Sequence, residues 1–248
     1  MNETTVRLSA IDEERFGIKT ARGTISLPED VDCVLDFCHT NQVVLLIVRC
    51  LSSELSTVQY MEQQGFLLMD TLLYYTRSVL DVPFPDGANL PLVRPVRPGE
   101  DEQVSIIAAQ SFQGYAGHYH ADPRLDRTRS DEVYISWAVR SCRERAVADE
   151  VLVAEVDNQI VGFGALKRLN DETGDGRLYG VAPAFQGQGV YRALMLHSLE
   201  WCRAQGCSRM LYSTQIMNIA AQKVCIRLGF ELSHAYYTLH KWFDHETA

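Results

Sequence analysis

The run Gln186-Gly187-Gln188-Gly189 holds the residues best suited to binding an anion. It follows a short segment of strand character, Leu178 to Val181, passes a stop at Pro183, and leads straight into a helical pattern that starts near Val190. Glycines let the backbone come close to a ligand, and the first turn of a helix leaves N–H groups unpaired with the positive end of the dipole behind them. Strand, glycine loop and helix start, in that order, form a phosphate site. The spacing is neither that of a dinucleotide fold nor that of a P-loop. Gly187 and Gly189 are followed by Val190, Tyr191 and Arg192, with no third glycine and no Gly-Lys-Ser/Thr. An ordinary strand–turn–helix connection is the plain alternative.

Two further groups carry chemistry. The segment from Phe112 to Leu125 is dense in hydrogen-bonding side chains, among them His118, Tyr119, His120, Asp122 and Arg124. Histidine titrates near neutral pH, so His118 and His120 are the candidates for a general base. Two histidines two apart lack a third ligand at metal spacing, so no metal is expected. The other group is Asn218, Ala221 and Cys225, which share one face of a helix. Cys225 is either an acid, with an ordinary thiol pKa of about 8.5, or a small apolar packing residue. On the last strand Tyr236, Tyr237 and His240 either line a cleft or fill the core.

These residues need a frame to hold them. Asp81 to Pro98 carries most of the prolines and reads as a linker, which divides the chain into a small α+β unit, residues 1–88, and a larger domain, residues 89–248. In the first unit the pattern predicts strands Thr5 to Leu8, Thr24 to Leu27 and Val43 to Arg49, a helix ended by Gly65, and a strand from Phe66 to Tyr75. The second predicts the order β-α-α-β-β-β-α-β-α-β-β, with a hairpin turning at Asp157-Asn158 and a central helix from Gly189 to Ala204 that is apolar on more than one face. Gln64-Gly65-Phe66 echoes Leu228-Gly229-Phe230, an echo too weak to establish a repeat by itself.

With those residues in view, Val181, Pro183, Phe185, Gln186, Gly187, Gly189 and Val190 resemble the acyl-CoA signature of the GNAT N-acetyltransferase superfamily, V-x-P-x-(Tyr/Phe)-(Arg/Gln)-Gly-x-Gly-(Ile/Val). Tyr191 departs from the glycine or alanine usual there. The resemblance implies a GNAT fold, an α/β (α+β) arrangement around a mixed, mostly antiparallel sheet, with acetyl-CoA as cosubstrate. It assigns the pyrophosphate to the backbone of Gln186, Gly187, Gln188, Gly189, Val190 and Tyr191, and the pantetheine to Leu178, Gly180 and Val181. The Val181 N–H then polarises the thioester carbonyl. Asn218 and Ala221 complete the cofactor contacts, and the position seven after Asn218, often a proton-donating tyrosine, is Cys225 here.

A narrower resemblance covers about Val43 to Phe243. The HYHADPRLD loop, the QGVYRAL helix start, the STQIMNIAAQ segment and the SHAYYTLHKWF tail are similar to the TDP-fucosamine acetyltransferase family. It implies transfer of acetyl to the amino group of a TDP-linked amino-dideoxy sugar for polysaccharide biosynthesis. Tyr119, Asp122, Arg124, Tyr237 and His240 are its implied acceptor contacts. Arg124 either meets a phosphate oxygen or pairs with Asp122 or Asp126. A GNAT enzyme acting on another amine, and an acyl-CoA-binding protein without turnover, are the competing readings.

Composition narrows the partners. The 248 residues are 46% hydrophobic, enough for a globular core, and the formal net charge of −9 argues against nucleic acid or an anionic membrane surface. Seven cysteines without CxxC spacing read as reduced structural thiols. No membrane-length apolar run and no leader pattern is expected, so a cytoplasmic protein, with a homodimer left open, is the reading.

Overall fold

The computed structural model describes residues 3–80 and 90–243. Its first half runs β1 (Thr5–Leu8), α1 (Ala10–Phe16), β2 (Thr20–Thr24), α2 (Asp30–Thr40), β3 (Leu45–Leu51), α3 (Leu55–Gln63) and β4 (Leu67–Ser78). The second runs β5 (Leu92–Pro95), α4 (Asp101–Ser111), α5 (His118–Ala121), α6 (Arg127–Arg143), β6 (Glu150–Val156), β7 (Gln159–Arg168) and β8 (Thr173–Val181). It ends with α7 (Val190–Ala204), β9 (Arg209–Gln215), α8 (Ile219–Arg227) and β10 (Glu231–Trp242).

All ten strands share one sheet, in the order β1-β2-β3-β10-β4-β9-β8-β7-β6-β5. Only β2 with β3 and β8 with β9 are parallel; the other pairs are antiparallel. The boundary expected at 88/89 lies outside the described residues, and the sheet does not divide there. Strand β10 lies between β3 and β4, and β4 in turn lies against β9.

The echo at Gly65 and Gly229 belongs to a larger repeat. β3, α3 and β4 reappear as β9, α8 and β10 with the same lengths, each displaced by 164 positions (45 to 209, 55 to 219, 67 to 231). Both α3 and α8 end on a left-handed glycine, Gly65 at φ 79° and Gly229 at φ 77°, and both following phenylalanines donate N–H to the turn before, Phe66 to Met61 O and Phe230 to Cys225 O at 3.0 Å. Each half gives its last strand to the other, so β10 and β4 lie side by side at the centre of the sheet.

Three apolar clusters fill the molecule. One lies between α7 and the sheet, one under α4 and α6, and one under α2 and α3. Residues Val190, Ala193, Leu194, Met195, Leu196 and Leu199 of α7 are all sealed, as a helix covered on two sides requires. The hairpin turn falls on Asp157 (φ 51°) and Asn158 (φ 62°), both left-handed, which suits the right-handed twist of β6 and β7.

Four elements differ from the sequence expectation. Helices α1 and α2 stand where none was predicted; the apolar positions of α2, Val31, Val34 and Cys38, sit among acidic neighbours that blur the pattern. β2 falls earlier than expected. Its TARGT sequence lacks alternation partly because Gly23 has no room for a side chain, a Cβ there standing 2.2 Å from Thr5 O. The chain ends in one long strand rather than a pair, since the neighbours of β10 come from the first half.

Candidate active site

Strands β8 and β9 pair from Thr173 opposite Arg209 to Gly176 opposite Tyr212, and then part. Beyond that point β8 stays on β7 and β9 on β4, which opens a cleft of about 860 Å³ between them. Val181, Gln186, Gly187, Gly189, Asn218 and Ala221 are on its wall. Gly187 (φ 76°) and Gly189 (φ 85°) are both left-handed, so the chain turns from a short 3-10 segment, Pro183–Phe185, directly into α7. The N–H groups of the first turn of α7 are left facing this loop.

Backbone pairing also sets the Val181 N–H. Ala182 donates to Val161 O at 2.9 Å, so by the alternation of an antiparallel ladder the Val181 groups face away from β7, toward the cleft. The Val181 carbonyl accepts from Ser111 Oγ at 3.1 Å and Gln186 Nε2 at 3.2 Å, which pins the strand end. Gly180 is required by packing, because a Cβ there meets Phe163 at 2.5 Å.

A second cavity of about 520 Å³ adjoins the first. The two share Phe112, Tyr115, Tyr179, Tyr191, Gln215 and Asn218. Among the described residues on its wall are six arginines, Arg7, Arg15, Arg22, Arg49, Arg140 and Arg177, against one carboxylate, Asp70. In a chain of net charge −9 this is a local reversal of sign. Some of these arginines are already engaged: Arg22 with Asp12 and Tyr119, Arg140 with Glu144 at 2.8 Å, and Arg177 with Asp175 at 3.2 Å. Arg49 donates only a long bond, 3.3 Å, to Tyr74 Oη. Asp70 accepts one bond, from Gln215 Nε2 at 3.2 Å, and its other oxygen is buried without a partner.

His118, in the one-turn helix α5, is buried on the wall of this cavity. Its Nδ1 is 2.9 Å from His240 Nε2, and His240 Nδ1 is 2.7 Å from Asp122 Oδ2. Asp122 also accepts from Trp242 Nε1 at 2.8 Å and the Arg124 N–H at 3.0 Å; burial opposes its charge, but these donors hold its pKa below the usual carboxylate value. An ionised Asp122 accepts a hydrogen bond from His240 Nδ1–H, so His240 Nε2 accepts one from His118 Nδ1–H, assigning tautomers from the network. His118 Nε2 is left as a lone pair. Burial, with His240, Arg22 and Arg49 nearby, pushes the His118 pKa well below its ordinary value, so the ring is neutral at pH 7.

Other expected residues stand elsewhere. Cys225 is sealed at 0% exposure, is absent from both cavity walls, and has its thiol pushed up to about 12 by burial. His120 turns away to Asp131, 2.9 Å from its Nε2. Arg124 lies flat on Trp242, 4.1 Å from the ring centroid, outside the cavity wall. Asp122 and His240 reach the cavity only through His118, and Tyr237 packs against the cluster under α2 and α3. Tyr119 does line the second cavity, donating to Asp12 Oδ1 at 2.8 Å. In the glycine loop, Val190 points into the core and Gln188 folds back on Ala184 O at 2.9 Å, while Leu178 faces the second cavity rather than the cleft.

The residues that sequence reading missed, Arg22, Arg49, Asp70 and Gln215, come mostly from the first half. Register unites them: Thr238 of β10 lies opposite both Arg49 of β3 and Asp70 of β4. No local spacing encodes such a row. Among the described residues no helix is long and apolar enough to cross a membrane, and no group of three or more potential ligands could hold a metal ion.

Comparison with known proteins agrees with this geometry. Residues 111–230 match the Acetyltransferase (GNAT) family. The spore coat polysaccharide biosynthesis protein SpsD of Bacillus subtilis is 28% identical over 149 residues, 60% of this chain and 50% of SpsD. A mycothiol acetyltransferase of Saccharopolyspora erythraea is 35% identical over 80 residues, 32% of this chain and 26% of the relative. The chain thus spans about half the length, or less, of these curated relatives. A GCN5-related N-acetyltransferase from Sphaerobacter thermophilus has the same fold, with a TM-score of 0.63 at 17% identity over 96% of this chain and 76% of that one. The signature loop and the parted parallel strands lie within the matched stretch, residues 111–230, which belongs to the GNAT acetyltransferase family.

Proposed function

We propose that the protein is an acetyl-CoA-dependent N-acetyltransferase that acts on the amino group of a TDP-linked amino-dideoxy sugar. The observation that carries this reading is the meeting of two unlike cavities at the parting of β8 and β9. One has the glycine loop and helix start that suit a pyrophosphate, and the other has an arginine-rich wall that suits a second anionic molecule. The resemblance to SpsD, a polysaccharide biosynthesis protein by name, supports a sugar acceptor.

The amine nitrogen attacks the thioester carbonyl carbon, and the carbonyl electrons move to oxygen, where the Val181 N–H stabilises the charge. The proton lost by nitrogen goes to His118 Nε2, the lone pair that His240 and Asp122 keep available. Collapse of the tetrahedral intermediate breaks the C–S bond, forms the amide and releases CoA thiolate. A preset backbone donor and a preoriented base need little rearrangement during the reaction.

Thiol release from acetyl-CoA in the presence of TDP-4-amino-4,6-dideoxygalactose, compared with the same sugar without its nucleotide, tests the reading. Release with the nucleotide-linked sugar alone is the expected result. Tight acetyl-CoA binding with no release for any amino sugar would overturn it. The relatives named mycothiol acetyltransferase favour a second reading, an acceptor amine of another kind in the same cavity, which a panel of other amines would reveal.

A further inference from the structure

The departing thiolate needs a donor, and the thiol of Cys225 is poorly placed to be one: it is sealed beneath the cleft and reaches neither cavity. Two phenols stand where Cys225 does not. Tyr191, in the first turn of α7, is on the wall of both cavities, and its hydroxyl is 2.6 Å from that of Tyr212. Tyr212 is the last residue of β9 paired with β8, at the point where the strands part.

The rings are fixed in place. Tyr179 meets Tyr191 edge-on at 5.7 Å and Tyr212 at 5.8 Å, so the three aromatic side chains brace one another. Tyr179 has a hydroxyl at the same junction, but it donates to Ser198 Oγ at 2.9 Å, and Ser198 passes the chain on to Leu194 O at 2.7 Å, into α7 and away from the cleft. Burial raises the pKa of both Tyr191 and Tyr212, so each keeps its proton throughout the neutral range. A hydroxyl rotor both donates and accepts, so either phenol can turn its hydrogen toward the other or toward the cleft.

We propose that Tyr191 donates a hydrogen bond to the thioester sulfur as the C–S bond breaks, while its oxygen accepts one from Tyr212. This rests on the transferase reading above. The C–S bond breaks with its electron pair on sulfur, and the Tyr191 O–H, itself backed by Tyr212, stabilises that charge while both phenols keep their protons. The thiolate takes a proton from water as products leave, and His118 returns the amine's proton to water, so the balance closes with acetyl-CoA and amine going to amide and CoA thiol.

The proposal has a test that needs no acceptor. Free CoA is bound to the wild type and to Tyr191→Phe, and ionisation of its thiol is followed by ultraviolet absorbance against bound desulfo-CoA, which cancels the protein's own tyrosines. A hydroxyl donating to sulfur stabilises the thiolate, so the bound thiol is expected to ionise about one pH unit lower in the wild type than in the variant. Equal titrations would overturn the proposal. With a turned-over acceptor, Tyr191→Phe is expected to lower kcat on the order of 100-fold with KM for acetyl-CoA unchanged, and Tyr212→Phe less. Cys225→Ala should keep kcat within about threefold of wild type. A Cys225→Ala enzyme that binds acetyl-CoA but has lost turnover would assign the donor to the thiol instead. CoA that fails to bind at all would remove the transferase reading and this step together, whereas equal titrations remove this step alone.

Discussion

The two halves of the molecule use one frame for two ends. In the second, β8 is joined to α7 by Ala182–Gly189, a connection with a proline stop and two left-handed glycines. In the first, β2 is joined to α2 by Ile25–Glu29, shorter, without glycine and without a left-handed residue. Strand, helix and parallel strand follow in both, so the crossover geometry is shared. What separates them is a few residues of loop: they let the backbone N–H groups of one helix face a cleft, while the other helix start closes on the core through Ile25 and Val31. The first half contributes in another way, by lending Arg22, Arg49 and Asp70 to the wall of the second cavity.

The most severe way to break this comparison is to separate the halves. A fragment running from Leu90 to Ala248 leaves β9 without β4 and β10 without either neighbour, so it is expected to show no cooperative melt by circular dichroism. A cooperative transition would mean the second half does not need the first. Within the intact chain, Gly189→Val forces a β-branched residue into φ 85° at the helix start, and acetyl-CoA affinity measured by calorimetry should fall at least about tenfold. A change in the corresponding connection of the first half, Pro28→Gly, should leave that affinity unaltered; if both changes weaken binding alike, the division of labour is wrong.

Asp122→Asn removes the charge that fixes the histidine tautomers, and kcat is expected to drop roughly 10- to 100-fold, with acetyl-CoA binding kept. The same chain sets an acid limit. The folded state holds His118 below its ordinary pKa, so the unfolded state binds the proton first as pH falls, and the stability present above about pH 6.5 is lost progressively below it. A melting temperature flat from pH 7 to 5 would show that His118 is solvated. The smallest effect concerns the frame alone. Cys38 and Cys202, 164 positions apart and both sealed, each lie in the last turn of a helix with a carbonyl that accepts from the connection to the next strand, the N–H of Val43 and of Cys207, so each change to Ala should cost a similar amount, about 1–2 kcal/mol in urea melts.

Much of the second half was legible in the sequence because its signals are local. The glycine loop, the Asp157-Asn158 hairpin and the two-sided apolar helix each announce themselves within a window of ten to fifteen residues. The first half was harder to read, since α2 carries its apolar stripe among acidic residues and β2 has glycine where a strand would show a side chain. At the site, His118 was a fair candidate from residue type, yet its partnership with His240 and Asp122 joins residues more than a hundred positions apart. The arginine wall and Asp70 depend wholly on strand register. Tyr191 was visible as a departure from a family pattern, but its pairing with Tyr212 appears only once α7 is laid against β9.

The exchange of last strands at the centre of the sheet has a consequence for how the chain is made. β10 is the last described strand to leave the ribosome, and until it does, β3 and β4 have no partner between them. The first half therefore waits on the ribosome with two open edges while some 150 further residues are added, and the long-range closure comes at the end. The twelve residues of β10 are thus the shared neighbour on which both earlier strands close.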